Sequence, residues 1–110
     1  MDKLSLVATA REQSRKAAAS PNGRAADTVY GGHARSLRQT VIALSAGTSL
    51  AEHENPGEAT VHVLTGRVRL ASSSTSWEGR PGDLLVVPQE RHSLAALEDS
   101  AVLLTVVKLG

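Results

Sequence analysis

From residue 25 onward, branched apolar residues gather in short runs: Thr40-Val41-Ile42-Ala43-Leu44, Val61-His62-Val63-Leu64, Val68-Arg69-Leu70, Leu84-Leu85-Val86-Val87 and Val102 to Val107. Such residues fit the pleated, half-buried surface of a strand. Turn-forming residues separate the runs: Ala46-Gly47, Asn55-Pro56-Gly57, Thr65-Gly66, Ser72 to Thr75, Arg80-Pro81-Gly82-Asp83 and Glu98-Asp99-Ser100. Strand signals recur every ~8–12 residues, which predicts an all-β sandwich or closed barrel rather than βαβ units. Several runs are apolar at consecutive positions, so both faces of those strands need a cover. An opposite sheet, a helix or a partner subunit would supply it.

The first residues follow another pattern. Asp2 to Ala19 is rich in good helix formers and stops at Ser20-Pro21-Asn22-Gly23. Leu4, Val7 and Ala8 can share one helical face, extended only by small residues such as Ala18. So thin a stripe predicts a helix lying on the outside of the main body. The reading is therefore an N-terminal helix and linker over residues 1–24 and a β domain over residues 25–110. Residues 1–24 carry net +3 and the remainder net −2; the helix's charges read as a solvated face.

Composition narrows the function classes. At 110 residues and 41% apolar content, one globular domain is expected. No cysteine is present, which removes thiolate metal sites, cysteine nucleophiles and iron–sulfur clusters. A net charge of +1, with only Trp77 and Tyr30 able to stack on bases, argues against a nucleic-acid partner. No apolar run reaches the ~18 residues of a membrane span. Leu4 to Ala10 is too short and too soon interrupted by Arg11-Glu12 for a signal peptide, so a cytoplasmic location is expected. No G-x-S-x-G elbow, phosphate loop or HExxH occurs, and the glycines read as turn residues.

Two stretches carry the candidate chemistry. GTSLAEHENPGEATVHVLTG, Gly47 to Gly66, and GDLLVVPQERH, Gly82 to His92, resemble the two motifs of the cupin family, G-x5-H-x-H-x3,4-E-x6-G and G-x5-P-x-G-x2-H-x3-N. Gly47 and His53 match the opening of the first, and Gly66 its end. Asn55 stands in the second histidine slot and Ala59 in the glutamate slot. In the second motif Gly82 and Pro88 match, Glu90 fills the glycine slot and His92 arrives one residue early. The resemblance spans roughly residues 30–108 and implies a cupin-type double-stranded β-helix, the jelly-roll barrel. It also implies a homodimer that would cover an outer apolar face.

In the family, three histidines and a glutamate hold a divalent metal inside the barrel. Here the matching set is His53, His92 and Asn55, two imidazoles and an amide without the carboxylate. Zinc, nickel, manganese, iron or copper would suit the imidazoles; a barrel without metal, in which both histidines give polar contacts, is the other reading. Glu58 lies one step from the vacant slot and on a regular strand points the opposite way. Glu52 and Glu54 alternate with His53 and should point away from it. Glu90 stands at the barrel mouth beside His92, His62 falls on the face opposite Val61 and Val63, and His33 sits in a loop. Trp77 reads as a packing or interface residue. The expected function is a small-molecule-binding cupin barrel of undetermined activity, with coordination of a divalent metal through His53 and His92 left open. The alternative is a metal-dependent cupin enzyme of dioxygenase, isomerase or decarboxylase type.

Overall fold

The computed structural model describes residues 2–53 and 57–108. One helix, α1 (Leu6–Ala19), precedes nine strands: β1 (Arg24–Tyr30), β2 (Leu37–Leu44), β3 (Ser49–His53), β4 (Gly57–Thr65), β5 (Val68–Ser72), β6 (Ser76–Gly79), β7 (Leu84–Val86), β8 (His92–Ala96) and β9 (Ser100–Lys108). A five-stranded sheet in the order β1-β2-β9-β4-β7 faces a four-stranded sheet in the order β3-β8-β5-β6. All recorded strand pairs are antiparallel.

Alternation along the strands decides what lies between the sheets. In β4, Gly57, Ala59, Val61 and Val63 are buried, while Glu58, Thr60, His62 and Leu64 are not. Val61 and Val63 meet Val68 and Leu70 of β5, Leu94 and Ala96 of β8, and Val102 and Val106 of β9 in one core. Both sheets thus contribute one apolar face, the arrangement that a sandwich or barrel requires.

The outer face of the five-stranded sheet carries a second, smaller apolar seat. Ala25, Ala43 and Ala101 stand side by side across β1, β2 and β9. Their methyl groups leave a shallow surface on which α1 lies, through Ala10 and Ala17. Ser5 caps the helix by accepting the Ala8 amide at 3.1 Å. The buried helical face is therefore Ala10, Gln13 and Ala17, and not the expected stripe of Leu4, Val7 and Ala8, which is exposed. The seat is shallow, so Ala10 and Ala17, two helical turns apart, face it with Gln13 between them, while Leu4 and Val7 turn outward.

Corners are made where the turn signals stood. Gly47, Gly66 and Gly82 all have positive φ. At Gly66 a Cβ would stand 2.3 Å from the Asp99 carbonyl oxygen, so glycine is required there sterically as well as conformationally. Among the described residues no helix is long and apolar enough to cross a membrane.

Candidate functional site

β8 carries the best-defined functional side chain. His92 is 5% exposed and lies on the inner face with Leu94 and Ala96. It lines a small cavity of about 30 Å³ whose other walls are eight Leu, Ile and Val side chains, among them Leu50, Leu70 and Val87. One imidazole thus interrupts an otherwise aliphatic wall.

Its ring is held from one side. His92 Nδ1 lies 2.9 Å from the main-chain oxygen of Glu90. A carbonyl only accepts, so Nδ1 carries the proton and Nε2 is left as the acceptor nitrogen. This is the ring orientation and tautomer by which a histidine offers Nε2 to a metal.

The neighbouring strand brings the second histidine beside it. Ser49 pairs with Ala95 and Leu50 with Leu94, but the next recorded pair is His53 with His92. β3 therefore carries one residue more than β8 between these rungs. On an unbroken ladder Glu52 would stand opposite His92; the bulge brings His53 there instead. On the other side, Ser72 of β5 is the ladder partner of His92, so His53, His92 and Ser72 form one rung across three strands.

The remaining sequence candidates are distributed around this rung. Asn55 lies outside the described residues. Ala59 occupies the inner face, so a methyl group stands where the family motif has its glutamate. Glu58 is exposed on the opposite face of β4. His62 is on that outer face too, paired with Leu84 and Leu103, and His33 is exposed in a turn. Glu90 is near the mouth, but its carboxylate accepts from Ser74 Oγ at 2.8 Å. The nearby Ser72 and Ser74 hydroxyls hold that carboxyl below the usual carboxylate range. Among the described residues no group of three or more histidines, aspartates and glutamates is placed to hold a metal.

In the sequence Ser72 to Thr75 reads only as a turn, and nothing there signals the contact of Ser74 with Glu90. Trp77 is the ladder partner of Leu70, which places it on the inner face of the edge strand β6, yet it is 62% exposed. It stands at the open rim, where β6 has no further strand to pair with in its own sheet.

No family model and no curated protein matches the chain. Solved structures do resemble it. A conserved protein of unknown function from Streptococcus pyogenes is 27% identical, covering 83% of this chain and 79% of that one, with a TM-score of 0.73. A cupin superfamily protein from Desulfitobacterium hafniense is 17% identical over 78% of each chain, with a TM-score of 0.72. KdgF from Halomonas sp. is 21% identical over 83% of this chain and 84% of its own, with a TM-score of 0.69. These likenesses concern the backbone, and they agree with the two sheets and the motif glycines described above: the chain has the cupin fold, an all-β barrel with a helix laid against one wall.

Proposed function

We propose that this protein is a small-molecule-binding cupin barrel whose site is a divalent transition-metal ion held by His53 and His92. The observation that carries the reading is the pairing of these two residues on adjacent strands. Directly opposed residues of an antiparallel pair have Cβ atoms about 4.5–5.5 Å apart, a separation suited to two ligands of one ion. Two neutral imidazoles suit zinc, copper, nickel or iron. Asn55, with solvent, would complete the set. With no carboxylate in that set, the ion keeps its positive charge, which favours an anionic organic ligand. When bound, the metal supplies Lewis-acid polarisation of that ligand.

The cavity behind His92 is about 30 Å³. That is room for about one water-sized body, whereas organic ligands occupy roughly 300–1,000 Å³. The small molecule therefore docks at the mouth, above the ion, and not within the barrel. A homodimer is part of the same reading: Leu84 and Val86 are 60% and 72% exposed on the outer face of β7, an apolar pair that a second copy would cover.

The test is metal content and metal response. Protein purified without added metal should carry about one transition-metal ion per chain, or take one up with a rise in melting temperature. His53→Ala and His92→Ala should abolish the rise, and His62→Ala should keep it. Absence of metal together with no thermal response to zinc, nickel, manganese, iron or copper would refute the proposal.

A further inference from the structure

The segment between β7 and β8 is a strap, with cavity-lining residues at both ends, Val87 and His92. Its middle is tied at two points. Gln89 donates from Nε2 to the Gly57 carbonyl at 2.7 Å, where β4 begins. On the other side Glu90 accepts from Ser74 in the β5–β6 turn at 2.8 Å. That turn is braced in its own right, since the Ser72 hydroxyl donates to the Thr75 carbonyl and accepts the Ser74 and Thr75 amides.

Glu90 also contributes the main-chain oxygen that accepts from His92 Nδ1. One residue thus anchors the strap through its side chain and orients the imidazole through its backbone. We infer that Glu90 is a positioning residue for His92: clasped by Ser74, it holds in place the carbonyl that keeps the ring proton on Nδ1 and the lone pair on Nε2. The inference rests on reading His92 as a metal ligand, and it adds how the ligand is presented.

The chemistry favours a carboxylate at this place. A carboxylate only accepts, so the serine hydroxyl must donate, and the bond is charge-assisted and directional. Without the clasp, the carbonyl of residue 90 belongs to a surface connection, and such connections are mobile. Nδ1 of the imidazole then loses a fixed acceptor, and the tautomer with its proton there loses that support. The clasp is solvent-exposed, so its removal leaves the fold intact while altering the ring. Glu90 stands in the slot where the family motif has glycine, so the clasp belongs to this chain and not to the motif.

The experiment is to read the His92 ring tautomer by long-range proton–nitrogen correlations in the isotope-labelled full-length protein, without metal and with the ring neutral. The wild type should show the proton on Nδ1. Glu90→Ala and Ser74→Ala should each move the tautomer ratio towards Nε2–H by about fivefold, the weight of one intramolecular hydrogen bond. Glu90→Gln should restore the wild-type ratio, because its amide oxygen still accepts from Ser74. Ser73→Ala, in the same turn, should leave the ratio unchanged. In the two clasp variants zinc should bind about tenfold more weakly, the usual effect of losing a partner behind a ligand. An unchanged ratio in Glu90→Ala, or an equal change in Ser73→Ala, overturns the inference. If the wild type takes no zinc, the metal reading fails on its own, and the tautomer ratio still decides the role of Glu90.

Discussion

Replacing His92 by leucine separates a residue kept for chemistry from one kept for stability. The imidazole hydrogen-bonds the Glu90 carbonyl, and such a bond contributes about 1 kcal/mol net. Glu90 is exposed, so water can meet its carbonyl when the ring is gone, and the cost falls below that of an orphaned buried group. Against this loss, leucine is close to histidine in volume and would join a wall of eight aliphatic side chains. Burying its extra apolar surface gains roughly 1–2 kcal/mol, so the net change should lie within about 1 kcal/mol of zero. Urea unfolding reads this directly, as a shift in midpoint at constant slope. The metal response should behave quite differently. Zinc at a hundred times its dissociation constant adds about 2.7 kcal/mol to the wild type and should add nothing to His92→Leu. A loss of more than about 2 kcal/mol in the metal-free variant would refute the reasoning, because it would make His92 a structural member of the core.

Three further outcomes follow from the packing. Ala101→Leu should press α1 off its alanine seat and cost about 1–3 kcal/mol, with the barrel still folded; easier proteolysis within residues 6–19 would report it, and an unchanged protease pattern would count against the seat. Gly66→Ala should destabilise by more than about 1 kcal/mol, because its Cβ would meet the Asp99 carbonyl at a positive φ; a neutral result by thermal melting would show that the corner can relax. In α1 the hydrogen bond from Arg15 to Glu12 lowers the Glu12 carboxyl from its usual value. Its contribution to the helix is therefore present above the unfolded carboxylate range and lost as pH falls through the lower folded value. Circular dichroism on acidification should show that step, and Glu12→Gln should remove it.

Much of the barrel is legible because its strands carry branched apolar residues in short runs. The runs at 40–44, 61–64, 68–70, 84–87 and 102–107 became β2, β4, β5, β7 and β9, each wholly or partly within a run of branched residues. β1, Arg24-Ala-Ala-Asp-Thr-Val-Tyr30, escaped notice because it is an edge strand, mostly exposed, with too few apolar residues to signal its period. The helix is legible in the sequence, but its buried face is not. Side-chain size points to Leu4 and Val7; the shallow surface below is assembled from Ala25, Ala43 and Ala101, on three strands that no local pattern connects.

The site divides in the same way. Motif spacing pointed to His53 and His92, and a resemblance over two separated stretches was enough for that. Strand parity alone would have failed, because counting from Leu50 in steps of two arrives at Glu52, not His53. A bulge cannot be read from alternation, since it is the point at which alternation breaks. Here the extra residue in β3 sets the rung: it makes His53, and not Glu52, the ladder partner of His92. Ala59 removes the other carboxylate that the family motif would place inside, and its methyl joins the core. Both departures favour the proposed reading of neutral donors set in an aliphatic wall. The carboxylate at the mouth, Glu90, is drawn outward to Ser74 and acts on His92 only through its backbone. Under the proposed metal reading, a cation held by His53 and His92 would then take its balancing charge from the ligand that arrives.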